Sequence, residues 1–287
     1  MACSDKTIEV ISESMAKPEP VGDKAKTLGQ TISDSGDTPK IAASDFSFFY
    51  GEHCVLRDIN LEIKRNQLFT IMGPSAGGKT TLLRSINRLG DLIVGTRHEG
   101  SLKIDGVDVN DPSVDVTELR RQVGMVFALP VALPMSIFNN VAHGPRMQGI
   151  RNQSRLEEIV EKALRDVILW DEVKDRLSDH ASRLSGGQLQ RLSLARVLTL
   201  EPEIILLDEP TSGLDPISTL KIEELLWELV ERYTIVLVTH DPLQGARIDS
   251  ETAFLLMGEL IETGPAYDVF TRPRDKRTED YVSGKYG

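Results

Sequence analysis

The sequence predicts an α/β fold with a mainly parallel core sheet, an antiparallel β subdomain and an inserted helical subdomain. Three observations support it. Short apolar runs at 67–72, 203–208 and 234–239 are separated by helical stretches, and strands that alternate with helices pair in parallel through right-handed crossovers. Nearer the start, β-rich runs at 46–50 and 55–63 are joined only by Gly51-Glu52-His53, which suits a turn and is too short for a crossover. Between about 130 and 187 the pattern becomes mostly helical before the core resumes.

The chain has 287 residues, 40% of them hydrophobic, enough to bury a sizeable core. Length alone would suggest roughly two domains of ~150 residues. The net charge of −11 argues against a nucleic-acid partner, which usually leaves a basic footprint, although a local basic patch stays compatible with it. Cys3 and Cys54 stand in no metal or redox spacing, as expected in a reducing cytoplasm. Met1-Ala2-Cys3 lacks the glycine that myristoylation needs, and no apolar leader follows. No apolar run approaches the ~20 residues of a membrane span. The chain is therefore expected to be soluble, or held to a membrane by a partner.

Residues 1–40 are polar and turn-rich, as in Lys17-Pro18-Glu19-Pro20 and Ser33-Asp34-Ser35-Gly36-Asp37, and read as a flexible tail. One domain is expected over 41–287. The run at 67–72 ends in glycine, which suits a buried parallel strand, and a helix follows from Lys79 to about Leu89. Residues 99–109 centre on Asp105-Gly106 and read as a β-hairpin, and 121–127 as a further strand. In the helical region Leu156, Ile159, Val160, Ala163, Leu164 and Val167 recur at helical spacing and make one apolar face. The core resumes with a helix from about Gln188 to Leu198. Asp215-Pro216 then opens a helix to about Arg232, with Asp as N-cap and Pro at the first helical position. Asp241-Pro242 repeats that device directly after His240.

Gly73-Pro74-Ser75-Ala76-Gly77-Gly78-Lys79-Thr80 fits the G-x-x-x-x-G-K-[ST] phosphate loop and lies between a strand and a helix, as its mechanism requires. Glycines let backbone N–H groups close around phosphate oxygens, and the helix start adds its positive dipole end. Lys79 is expected to reach the β- and γ-phosphates, and the Thr80 hydroxyl to take a place on Mg²⁺; Thr81 follows in the same helical turn. Further on, Ile204-Ile205-Leu206-Leu207 delivers Asp208 and Glu209 to the carboxyl edge of a strand, where open parallel sheets bind ligands. Alone, such a pair would be two solvated acids. Beside the phosphate loop, Asp208 is placed to hold magnesium and Glu209 to act as general base toward water.

Leu184-Ser185-Gly186-Gly187-Gln188 forms a second glycine-rich helix start and resembles the signature motif of the ABC (ATP-binding cassette) ATPases. Ser212-Gly213-Leu214-Asp215 resembles their D-loop and His240 their switch histidine, while Tyr50 lies where the family stacks an aromatic ring on adenine. The resemblance implies a P-loop NTPase of the ABC type that uses ATP and Mg²⁺. It implies two copies facing head to tail with two ATP molecules between them. Ser185, Gly186, Gly187 and Gln188 of one copy would then cradle the γ-phosphate held by the other copy's Lys79. Asp215 would run along the seam, and His240 would touch the γ-phosphate and hold the attack geometry with Glu209.

A finer resemblance concerns cargo. Pro134-Met135-Ser136-Ile137, Trp170-Asp171-Glu172-Val173-Lys174-Asp175, Asp215-Pro216-Ile217-Ser218-Thr219 and the ending Thr278-Glu279-Asp280-Tyr281-Val282-Ser283-Gly284-Lys285-Tyr286-Gly287 look like the ATP-binding subunit of bacterial phosphate importers. The ending is the most telling, because catalysis does not require it. This resemblance implies two membrane-spanning permease subunits, a periplasmic or extracellular phosphate-binding protein as an indirect partner, and a peripheral place at the cytoplasmic face of a bacterial membrane. Importers of another oxyanion, an amino acid or a metal, and soluble regulatory ABC ATPases, are the alternatives. Soluble members usually carry two cassettes or long coiled-coil insertions, and this chain has neither.

One position departs from the family. After Val126-Phe127 the family places a glutamine thought to touch magnesium and the attacking water and to sense the membrane subunits; here it is Ala128. Leu129-Pro130-Val131-Ala132-Leu133 are also more apolar than usual. A methyl group can neither bind a metal nor orient water. Either the site works without this ligand, or coupling is altered, or a nearby polar group or water takes its place.

Overall fold

The computed structural model describes residues 38–248 and 250–285; most of the tail expected over 1–40, and Tyr286-Gly287, lie outside the described residues. Strands β1 (Ile41–Tyr50) and β2 (His53–Ile63) form the expected hairpin, with the turn narrowed to Gly51-Glu52. β3 (Leu68–Met72) leads into the phosphate loop and helix α1 (Lys79–Ile86). β4 (Thr96–Ile104) and β5 (Val107–Asp108) pair antiparallel about Asp105-Gly106.

The strand expected over 121–127 is shorter. Residues 121 and 122 belong to helix α2 (Val116–Gln122), and only β6 (Val123–Val126) is extended. Asp115 starts α2, its carboxylate accepting the N–H groups of Thr117 and Glu118. That N-cap signal stands one residue before an inconspicuous valine.

Helices α3 (Ile137–Met147), α4 (Gln153–Asp166) and α5 (Trp170–Val173) build the helical region. Leu156, Val160, Ala163 and Leu164 of α4 and Val167 after it are buried, while Ile159 is half-buried. Then follow α6 (Gly186–Leu198), β7 (Ile204–Asp208), α7 (Pro216–Leu229), β8 (Thr234–Thr239) and α8 (Pro242–Arg247). The chain continues through β9 (Glu251–Leu256), β10 (Glu259–Pro265), α9 (Ala266–Thr271) and α10 (Lys276–Val282).

Two sheets result. One has the order β2-β1-β4-β5, and its strands pair antiparallel; the other has the order β10-β9-β3-β8-β7-β6 and is parallel except for β10. Alternate residues of the central strands face opposite sides. Phe69, Ile71, Leu206, Val236 and Val238 pack with α1 and the antiparallel sheet. Leu68, Ile205, Leu207, Ile235 and Leu237 pack with α6, α7 and the helical region. Burial on both faces explains why these strands read as unbroken apolar runs. Lys40, almost fully buried, donates to Asp105 at 2.6 Å and also to Glu203, tying the two sheets together with paired charges. Among the described residues no helix is long and apolar enough to cross a membrane.

Candidate functional site

β3 ends against the parallel neighbours β9 and β8, so the loop from Gly73 emerges at the carboxyl edge of the core sheet. Gly73 has φ 150°, and a Cβ there would lie 2.0 Å from the Leu255 carbonyl oxygen, so only glycine fits. Gly78, at φ 99°, precedes α1; a Cβ on it would meet Leu56 Cδ2 at 2.9 Å. The Lys79 ammonium is buried and donates to the carbonyls of Gly73 at 2.8 Å and Pro74 at 2.9 Å. Burial lowers its pKa, opposed by the nearby charges of Glu209 and Asp208.

Thr80 Oγ1 donates to Asp208 Oδ1 at 2.8 Å. Burial raises the Asp208 carboxyl, which the Thr80 hydroxyl partly offsets. A hydroxyl and a carboxylate, both hard oxygen donors, suit Mg²⁺, which takes one or two protein carboxylates and completes its shell with phosphate oxygens and water. Among the described residues no cluster of three or more His, Cys, Asp or Glu could form an all-protein cage.

Glu209 follows β7 with φ 49°, a left-handed conformation uncommon for a side chain of this kind. Its N–H donates to the Val238 carbonyl at 3.0 Å and its carbonyl accepts the Ser212 N–H at 3.1 Å, so the surrounding backbone holds the turn. The turn aims the carboxylate at His240, whose Nδ1 lies 2.9 Å from Glu209 Oε2.

A cleft of ≈ 590 Å³ collects Ser75, Ala76, Gly77, Gly78, Lys79, Thr80, Thr81 and Glu209. Tyr50 does not line it; its hydroxyl lies 3.5 Å from Oγ1 of the lining residue Thr81, and its ring is edge-on to Phe48. Four further lining residues, His53, Cys54, Val55 and Met257, were not anticipated. Met257 is at the tip of the β9–β10 hairpin, where the Gly258 N–H donates to the Gly77 carbonyl at 3.0 Å and the Gly258 carbonyl accepts the Arg57 N–H at 2.9 Å. The Met257-Gly258 turn between apolar runs was the available signal; its docking on the phosphate loop had none.

Ser185, Gly186, Gly187, Gln188 and Asp215 do not line this cleft. They adjoin one another instead. Ser185 caps α6 in a reciprocal capping box with Gln188, and Asp215 caps α7 by accepting the N–H groups of Ile217 and Ser218. A Cβ on Gly187 would sit 2.5 Å from Ser218 Oγ, so the two helix starts touch. Glu172 of α5 binds them into one unit, accepting from Gln188 at 2.8 Å, Arg191 at 2.9 Å and Lys221 at 3.1 Å. Burial alone would raise its carboxyl, but these donors hold it down to about 2.

Ala128 is absent from the cleft lining as well. The carbonyl of its neighbour Phe127 accepts from Gln190 Nε2 at 3.2 Å, while the buried Gln190 Oε1 has no partner among the described residues. Phe127, Leu129 and Val131 are exposed on a separate, largely apolar cleft of ≈ 460 Å³ that reaches His143 and Arg196.

A glycine phosphate loop between β3 and α1, with two carboxylates at the carboxyl end of β7 in the same parallel sheet, defines a P-loop nucleoside triphosphatase. The family model for ABC transporters matches residues 56–212, and the chain belongs to that family as an ATP-binding ATPase. It is similar to the structure of cbiO1 from Clostridium perfringens, part of the ABC transporter complex cbiONQ, at 25% identity and TM-score 0.71, over 84% of this chain and 94% of that one. A bacterial Atm1-family ABC exporter with ATP bound shares the fold at 24% identity and TM-score 0.72, over 92% of this chain and 44% of that one.

Proposed function

We propose that this chain is the energy-coupling ATPase subunit of a membrane importer, with inorganic phosphate as cargo. The convergence of Lys79, Thr80, Asp208, Glu209 and His240 at one sheet edge supports the hydrolytic part of this reading. Backbone N–H groups within 75–80 and the Lys79 ammonium hold the ATP phosphates, with Lys79 exchanging its two carbonyl partners for phosphate oxygens. Thr80 and Asp208 would hold Mg²⁺, which when bound offsets phosphate charge. Glu209 accepts the proton of the attacking water, and His240 contacts the γ-phosphate while orienting Glu209. Tyr50 stacks on adenine.

A second copy completes the site. The first N–H groups of α6, at Gly186 and Gly187, have no intrahelical acceptor and are suited to an anion. Together with Ser185 and Gln188 they cover the partner copy's γ-phosphate, and Asp215 lies along the seam. Two permease subunits each seat a short helix in the apolar cleft beside Ala128, and a phosphate-binding protein delivers cargo from outside. This reading places the chain peripherally on the cytoplasmic face of the membrane.

Phosphate rests on the resemblance of 278–287 and the other three segments to phosphate importers. Disrupting the gene and measuring uptake of radiolabelled phosphate, molybdate and amino acids tests it. The expected outcome is loss of high-affinity phosphate uptake alone. Loss of another cargo with phosphate uptake intact would replace phosphate in the proposal, and no transport defect would favour a soluble regulatory ATPase.

A further inference from the structure

The last helix reaches back into the hydrolytic site. The Tyr281 hydroxyl of α10 donates to the main-chain carbonyl of His240 at 2.9 Å, across 41 residues of sequence. The next N–H, that of Asp241, donates to Thr239 Oγ1 at 3.0 Å, so the peptide unit after His240 is held at both its oxygen and its nitrogen. The tyrosine itself has little freedom. Its ring is buried against Phe254 with centroids 5.0 Å apart, in a small apolar cluster that includes Met72, the residue before the phosphate loop. The start of α10 is anchored separately, where the Glu262 carboxylate accepts the N–H groups of Arg274 at 2.9 Å and Asp275 at 3.3 Å.

We infer that Tyr281 is a positioning residue for hydrolysis: by holding the His240 carbonyl it fixes the imidazole against Glu209. His240 lies between β8 and the Asp241 cap of α8 and its side chain is half exposed, so packing does little to fix it. Rotation of the peptide after His240 would swing the ring away from the 2.9 Å contact with Glu209. A buried hydroxyl on a rigid ring opposes that rotation without approaching the nucleotide. This gives the C-terminal helix a task in turnover, and it rests on the proposed role of His240.

The test uses the full chain and compares Tyr281→Phe, His240→Ala and the double variant by single-turnover and steady-state ATP hydrolysis, with thermal unfolding alongside. Tyr281→Phe keeps the ring and loses one hydrogen bond, so kcat is expected to fall about 3- to 10-fold with KM for ATP within about two-fold. The same substitution in the His240→Ala background should change the residual rate by less than about two-fold, because the group it positions is gone. Leu164→Ala, in the separate core of the helical region, is the packing control; it should lower the unfolding midpoint and leave kcat nearly intact. Thr239→Val, which frees the other end of the same peptide, serves if Tyr281→Phe does not fold, and should reproduce the kcat loss. A wild-type kcat in Tyr281→Phe, or an equal loss with and without His240, overturns the inference. Wild-type hydrolysis by His240→Ala would instead overturn the role of His240.

Discussion

His240 Nδ1 and Glu209 Oε2 stand 2.9 Å apart at the ends of the paired parallel strands β8 and β7. The contact exists because Glu209 turns left-handed immediately after β7, while His240 stands at the bend between β8 and the Asp241 cap. Glu209 lines the cleft with the phosphate loop that follows β3, and His240 reaches that cleft through Glu209.

Replacing Glu209 by Gln keeps the size of the side chain and removes its basicity. Turnover should fall roughly 10²- to 10⁴-fold, as loss of a general base predicts, while ATP binding persists. With ATP present the variant should elute from a sizing column as a dimer. Normal steady-state hydrolysis would remove Glu209 from the role of base.

Asp208→Asn should retain the hydrogen bond from Thr80 and lose the charge for Mg²⁺. The Mg²⁺ concentration that half-saturates ATP hydrolysis is expected to rise roughly 10- to 100-fold, the range typical of damaged metal sites. Metal-free binding of a fluorescent ATP analogue should change little. An unaltered Mg²⁺ titration would place the metal elsewhere.

Ala128→Gln probes coupling. Basal ATPase of the chain should stay close to that of the natural sequence, since the residues that act on phosphate are unchanged. Stimulation by the membrane partner in reconstituted vesicles should increase. Equal stimulation in both proteins would show that this position does not limit coupling.

The Glu172 hub makes a pH prediction. Its carboxyl is held down to about 2 in the folded chain, against an ordinary value of 4.5. A depressed folded pKa contributes stability that is present above the unfolded value and lost as pH falls through the folded one. Glu172→Gln should therefore lower the urea midpoint by a constant amount from neutral pH down to the ordinary value, and the difference should shrink between there and about 2. A gap that persists unchanged in acid would assign the effect to packing.

Most of the core could be read from contiguous residues. The phosphate loop, the Asp215-Pro216 and Asp241-Pro242 helix starts and the apolar runs of β3, β7 and β8 are local patterns, because backbone geometry and capping act over a few residues. The strand at 121–127 was misjudged at its start because the Asp115 cap precedes a helix of only seven residues with weak periodicity.

Other features depend on the sheet order. Because β9 lies beside β3 and β3 beside β8, the β9–β10 tip meets the phosphate loop at Gly77, and α10 comes within a hydrogen bond of His240. Met257 belongs to no motif, and the 278–287 segment that holds Tyr281 points to cargo and not to His240; each acquires its place from pairings between distant segments, which no local spacing encodes. The signature residues Leu184 to Gln188 are an intermediate case. Their helix start is written in the residues themselves, whereas their contact with Ser218 and their binding through Glu172 arise only when α5, α6 and α7 pack.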